Sequence, residues 1–470
     1  MSNAPDKAHP FMPNSTAEAR AALLAEIGAS DVEDLFAQIP DAHRLKGPIG
    51  LPPAAMSEAA LTREMHEMLS RSRSCEDMLS FLGGGVWRHH VPAVCDEIVR
   101  RSEFLTPVWG TPSSDHGRNQ AWFEFQSQLG ELIDMEFVAL PVYSWGCAVG
   151  HAIRMAARMT GRREVVTPRL ISPERRAVVA NYCEPAERAS HIEIVEAPAD
   201  PASLRIDIAA LRALVSERTA AIYIENPSYV GQIEEDAAAI GAIARRVGAE
   251  FIVGVDPSSL GVLAPPSVYG ADIVVGSIQP LGVRMSCGGG LGGFIASRDE
   301  ARYAREYPTL NLSIAPTARR GEVGFGMSLM HQSSYGSREL GKDWTGNSTY
   351  LHAIAGAAYM ALLGPHGFAE LGETIMQRAR FAAALLGEAP GVRVTPRGGF
   401  FKEFVVNFDG TGKSVAEINR RLYDDGIFGG VDLSTSFPEL GRSALYCVTE
   451  LHSEQDLRRL AESLRKAVRK

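Results

Sequence analysis

Two short apolar runs in the middle of the chain end on residues placed to do chemistry. The run "EFIVGVDP" closes on Asp256, and "DIVVGSIQP" closes on Gln279 and Pro280. An aspartate at one strand end can keep a ring nitrogen protonated, and a lysine about two strands' length later can condense with an aldehyde to an imine. Asp256 suits the first role. Neither Gln279 nor Pro280 carries the amine that the second requires. Lysine is absent from Gly47 through Gly341, where arginine is the basic residue throughout. Codon bias alone can make a lysine-free stretch, so the absence gains meaning only together with the strand pattern. With that pattern, it excludes an imine to any side chain of the central region.

Other residues invite a functional and a plain reading. Asn226 ends a third run, "AAIYIENP". The loop "TPVWGTPSSDHGRNQ" crowds Trp109 and His116 among prolines and glycines, either as a substrate-facing loop or as a solvated connector. Tyr143 opens "YSWGCAVGHAIRMAARMTG", a small-residue helix start that suits a cofactor neighbour or ordinary core. Lys342, the first lysine after the gap, stands in the polar loop "SRELGKDWTGNSTY", open to a phosphate, a carboxylate or water. The glycine runs "LGGGVW" and "CGGGLGGF" could cradle a phosphate through backbone N–H groups or could make tight turns; neither fits GxGxxG or a Walker pattern. His89, His90, His151, His331 and His352 lack metal-binding spacing, as do the six cysteines, so no metal site is expected. There is no GxSxG elbow.

The surrounding elements give these residues a frame. Continuous β-branched runs between about 120 and 300 alternate with helix-length segments such as "DAAAIGAIARRVGA", which predicts a mostly parallel sheet covered on both faces. Ligands gather beyond the carboxyl ends of such strands, where Asn226, Asp256 and Gln279 fall. Residues 1–100 read as an N-terminal helical arm, 101–345 as the large α/β domain, and 346–470 as a small α+β domain. In the arm, Ser15 and Glu18 suggest a capping box, with Gly28 closing the helix. The segment after 350 reads as a long helix ended by Gly364-Pro365. The chain of 470 residues is 45% hydrophobic, and its net charge of −9 argues against nucleic acid or an anionic membrane as partner. No segment approaches the roughly 20 apolar residues of a membrane span, and the N-terminus lacks signal-peptide order, so the cytoplasm is the expected location.

The ordered series "LFAQIPDAHRLKG", "SFLGGGVWRHHVPAVCDEIVRRSEFLTP", "QAWFEFQSQLGELIDM", "IENPSYVGQIEE", "VGVDPSSLGVLAPPSVYGADIVVGSIQPLGVRMSCGGGLGGF", "FFKEFVVNF", "GIFGGVDL" and "CVTELHS" resembles a known family nearly end to end. The family is subunit 1 of the two-subunit glycine dehydrogenase (decarboxylating), the P-protein of the glycine cleavage system. The resemblance implies an aminotransferase-like fold of type I and a heteromeric assembly, a dimer of heterodimers. Pyridoxal phosphate (PLP) would sit on a second subunit, whose histidine-lysine pair stands where Gln279 and Pro280 stand here. No coenzyme would be covalently bound to this chain. The lipoylated carrier (H) protein would be the further partner, and Trp109, His116, Tyr143, Asn226, Asp256 and Lys342 the candidates for lining a shared site. Three stretches depart from the family pattern: "LTPVWGTPSSDHG", "VYSWGCA" and "KDWTGNST". The departures leave two alternatives, a paralogous subunit whose partner handles another amino acid, or a scaffold that keeps only the fold.

Overall fold

Side-chain alternation in the central strands dictates the architecture. In Thr219–Glu225, Ile222 and Ile224 enter one apolar cluster while Ala221 and Tyr223 enter another, and all four are buried. A strand buried on both faces needs helices on both faces. The Trp145–Thr160 helix covers one side with Ala148, Ala152, Ile153 and Ala156. The Ala237–Val247 helix covers the other with Ile240, Ile243 and Ala244.

In this computed structural model, the described residues are 7–47, 49–51, 57–104, 112–342, 349–395 and 398–469, without the side chains of 112–117, 330 and 335. The large sheet comprises β1 (Phe137–Val138), β2 (Glu164–Pro168), β3 (Glu193–Ala197), β4 (Thr219–Glu225), β5 (Glu250–Val255), β6 (Ile273–Ser277) and β7 (Gly293–Ser297), in spatial order β1-β7-β6-β5-β4-β2-β3. Strands β2 to β6 run parallel, and β7 runs antiparallel to both neighbours. The expected α/β fold with a mostly parallel sheet is therefore present. Asn226, Asp256 and Gln279 follow the carboxyl ends of three adjacent strands, β4, β5 and β6.

A second, antiparallel sheet holds β8 (Arg393–Thr395), β9 (Glu403–Asn407), β10 (Val431–Asp432) and β11 (Ser443–Cys447), in the order β8-β9-β11-β10. The helices Val415–Asp424 and Glu454–Val468 pack on it through Ile418, Leu422, Leu457, Leu460 and Leu464. The long helix spans Tyr350–Gly387, and Gly364 interrupts it with non-helical φ 56° and ψ −175° just before Pro365. The expected end is thus an internal break, because the helix resumes on a proline whose missing N–H costs nothing at a first turn.

By contacts, the chain divides into residues 1–72 and 73–470. The expected arm extended to residue 100, but Leu79 and Ser80 pair in parallel with Ile427 and Phe428, which ties residues 79–100 to the larger unit. Within the smaller unit, the Ala17–Glu26 helix is capped by Thr16, whose side chain accepts from the Ala19 N–H. Ser15 instead accepts from the His9 N–H at 2.7 Å, so the cap lies one residue later than its sequence suggests.

Candidate functional site

Asp256 is fixed by the turn it starts. Its Oδ1 accepts from the Ser258 N–H at 3.0 Å and from the Ser258 hydroxyl at 2.7 Å, an Asx-type cap on the Pro257–Gly261 turn. Its Oδ2 lies 2.5 Å from the ammonium of Lys402, which comes from the other end of the chain. Lys402 sits just ahead of β9 at φ 46°, and only 1% of it is exposed. Its Nζ stands 3.5 Å over the centroid of the Trp87 ring and donates to His89 Nε2 at 3.1 Å. A proton on Lys402 leaves His89 Nε2 as acceptor, so Nδ1 carries the ring hydrogen and donates to Glu450 Oε2 at 2.8 Å. The Glu450 carboxylate also accepts from the His90 N–H at 2.6 Å. Burial pushes the Glu450 carboxyl up, but the hydrogen bonds from the His89 ring and the His90 N–H outweigh it and hold the group below its ordinary value.

Gln279 holds the opposite wall. Its side-chain amide accepts from the Trp87 N–H at 3.1 Å and donates to the Trp87 carbonyl at 2.8 Å, so one side chain pairs with that residue's backbone as a neighbouring strand would. The Trp87 ring reaches Trp145, at the start of its helix, with centroids 6.1 Å apart and planes at 56°. Arg175 stands 4.1 Å over the Trp145 ring and grips Glu225 through two bonds of 2.9 Å, with the Tyr223 hydroxyl on the same carboxylate. This buried pair is bidentate, the geometry in which burial of opposite charges is best compensated.

The glycine run 83–85 serves close packing. A Cβ on Gly83 would meet Glu403 Oε1 and lie 2.7 Å from Cys447 Cβ, while the Gly84 N–H donates to Glu403 Oε1 at 2.6 Å. A carboxyl group does sit on this backbone, but it is the protein's own. Burial pushes Glu403 up to about 7. In the second run, the N–H groups of Gly292 and Gly293 bond the carbonyls of Tyr143 and Val142. The turn reading holds in both places.

The structure thus gathers Asp256 and Gln279 around Trp87, and Asn226 ends the strand beside Asp256. Asn226 Oδ1 accepts from the Glu234 N–H at 3.1 Å. Tyr143 is half-buried next to the Trp145 helix. Pro280 is buried at the strand end where an amine would have to stand. Lys342 is not part of this gathering. Its Nζ lies 3.2 Å from Glu306, which also binds Arg158, in the last turn of the Trp145–Thr160 helix and about 20 Å along its axis from Trp145. Trp109 lies outside the described residues, as does the side chain of His116. Among the described residues, no three His, Cys, Asp or Glu side chains group as metal ligands. No described helix is long and apolar enough to cross a membrane.

Sequence reasoning missed Trp87, His89, Lys402, Glu403 and Glu450. One signal was available: "GGFFKEFVVNF" sets a lysine and a glutamate side by side in an otherwise apolar run. Charges on a segment bound for the interior need partners there.

Comparison with known proteins agrees with this fold. The family model for the glycine cleavage system P-protein matches residues 9–464. The chain is 35% identical over 464 residues to a probable glycine dehydrogenase (decarboxylating) subunit 1 from Staphylothermus marinus, covering 97% of each chain. It is 33% identical to the Geobacillus kaustophilus protein of the same name, over 97% of this chain and 98% of that one. A crystal structure of glycine decarboxylase (P-protein) in inhibitor-bound form superposes with a TM-score of 0.85 at 33% identity, covering 98% of this chain and all of the other. The sphingosine-1-phosphate lyase of Burkholderia pseudomallei, at 17% identity and TM-score 0.63, shares the fold alone. Strand order, the aspartate at the end of β5 and similarity along nearly the whole sequence converge, and the chain belongs to the glycine cleavage system P-protein family.

Proposed function

We propose that this chain is the coenzyme-free subunit of a two-component glycine decarboxylase, working with a second subunit that carries PLP on a lysine. The observation that carries the reading is Pro280, a buried imino acid at the strand end where the imine-forming amine would stand, in a chain whose similar relatives are named subunit 1. When bound in the partner, PLP supplies the electron sink for loss of CO₂ from glycine. This chain holds no PLP covalently and supports the partner's site. Tyr143 and the loop bearing Trp109 and His116 are the parts proposed to face the shared channel, where the lipoyl arm of the carrier protein would collect the aminomethyl group. The assembly is a cytoplasmic dimer of heterodimers.

Reconstitution tests the proposal. The purified chain is expected to show no aldimine absorbance and no exchange of CO₂ with glycine carboxyl, and both are expected once the lysine-bearing subunit is added. Turnover by the chain alone would overturn it. An amino-acid screen of the complex separates glycine from another substrate. Activity equal with and without this chain would leave it a scaffold.

A further inference from the structure

The coenzyme implied by the fold does not fit the residues present. A pyridine ring held in this fold needs an ionised carboxylate opposite its nitrogen, flat space above the strand ends and, for covalent capture, an amine beyond β6. Here Asp256 already faces the Lys402 ammonium at 2.5 Å. The Trp87 indole lies against that ammonium and against Trp145, and its backbone is clasped by Gln279. Asp256, Gln279, Trp87 and Lys402 are each at most 3% exposed, so no channel to solvent separates them. The amine of Lys402 cannot replace the missing one. It stands at the carboxylate, where a ring nitrogen would be, rather than beyond the end of β6.

We propose that this chain carries an internal substitute for the coenzyme, with the Lys402 ammonium in place of the pyridinium and the Trp87 indole in place of the ring, so that its slot refuses PLP even non-covalently. The substitute completes the ion pair that Asp256 requires and fills the volume between the strand ends and the Trp145 helix. The His89–Glu450 pair orients the ammonium from behind, since His89 Nε2 accepts from Lys402 while Nδ1 is anchored to Glu450. An indole face and a carboxylate are the two partners that best offset the hydration a buried ammonium gives up. This deepens the reading that PLP belongs to the partner, and it extends that reading from covalent capture to binding of any kind.

The test uses the full-length chain with PLP as the probe, read by desalting, absorbance and melting temperature. Wild type is expected to retain no PLP specific to Asp256 and to melt at the same temperature with or without it. Lys402→Met leaves a buried carboxylate uncompensated and is expected to lower the melting temperature by about 5 °C. Asp256→Asn leaves a buried ammonium alone and is expected to act similarly, whereas Lys402→Met with Asp256→Asn removes both charges and recovers most of the loss. The paired variant keeps the test readable if a single variant fails to fold. Trp87→Ala with Lys402→Ala reopens the slot and is expected to take up about one PLP per chain, without a borohydride-trapped bond at residue 402, and to lose that uptake when Asp256→Asn is added. One PLP retained by wild type in an Asp256-dependent way would overturn the proposal, as would strictly additive single variants or a reopened slot that stays empty. Decarboxylation with the partner is scored separately, so a wild-type chain that binds PLP yet still supports the partner sinks the substitute and spares the subunit assignment.

Discussion

Glu403 shows what burial does to a single carboxyl. With its pKa raised from an ordinary 4.5 to about 7, it keeps a proton in the folded protein that the unfolded chain releases. Its contribution is therefore most favourable below pH 4.5, declines as pH rises toward 7, and levels off above, a change of about 3 kcal/mol. Glu450 moves the other way: its carboxyl is held below the ordinary 4.5, so its contribution is lost only as pH falls below that value, and the two windows do not overlap. Glu403→Gln is expected to flatten the difference in unfolding free energy between pH 5 and 7.5 relative to wild type, measured by denaturant titration. An unchanged slope would remove Glu403 as its source. The Arg175–Glu225 pair gives a second expectation at this scale. Both side chains are at most 5% exposed, so Arg175→Ala strands a buried carboxylate and is expected to cost about 3–5 kcal/mol. Arg175→Met with Glu225→Gln is expected to cost less than that single change.

Among the elements, the turn 83–85 is tightly constrained, because it packs on Glu403 of the small sheet and leads to Trp87, which Gln279 of the large one clasps. Gly83→Ala forces a methyl onto Glu403 and Cys447, both buried, and is expected to cost a few kcal/mol and to release Trp87 fluorescence toward solvent values. Ser414→Ala removes a capping-box hydroxyl from an exposed helix start and is expected to cost about 1 kcal/mol without changing that fluorescence. Comparable losses for both changes would contradict the close packing of the turn. The same element shows how much of the site was readable in advance. Asn226, Asp256 and Gln279 were legible because a polar residue after an apolar run marks a strand end. The function of the glycine turn was open, because a run of glycines permits both a phosphate cradle and close packing, and only the neighbouring Glu403 decides.

For the whole molecule, the division at Ser72 and Arg73 and the membership of the cores point to one outcome. Every buried residue of the four apolar clusters belongs to 73–470. A chain beginning at Arg73 is therefore expected to keep its far-UV circular dichroism per residue and to melt within a few degrees of the full chain. A chain ending at residue 345 is expected to fail, because it lacks the partner strand of Leu79–Ser80 and leaves Asp256 without Lys402. Stable folding of that fragment would contradict the interdependence of the two sheets.

The sequence by itself determined the α/β class, the order of strands and helices and the lack of an amine beyond β6, since each is written in local periodicity or in the presence of one residue type. Lys342, singled out as the first lysine after the gap, and Lys402, not singled out at all, exchanged importance only once the chain was folded. A charge entering a low-dielectric interior must meet its opposite, but which one it meets depends on how two sheets pack, and no local pattern carries that pairing. The tertiary structure alone set an ammonium from just ahead of β9 in the small sheet against the aspartate at a strand end of the large one.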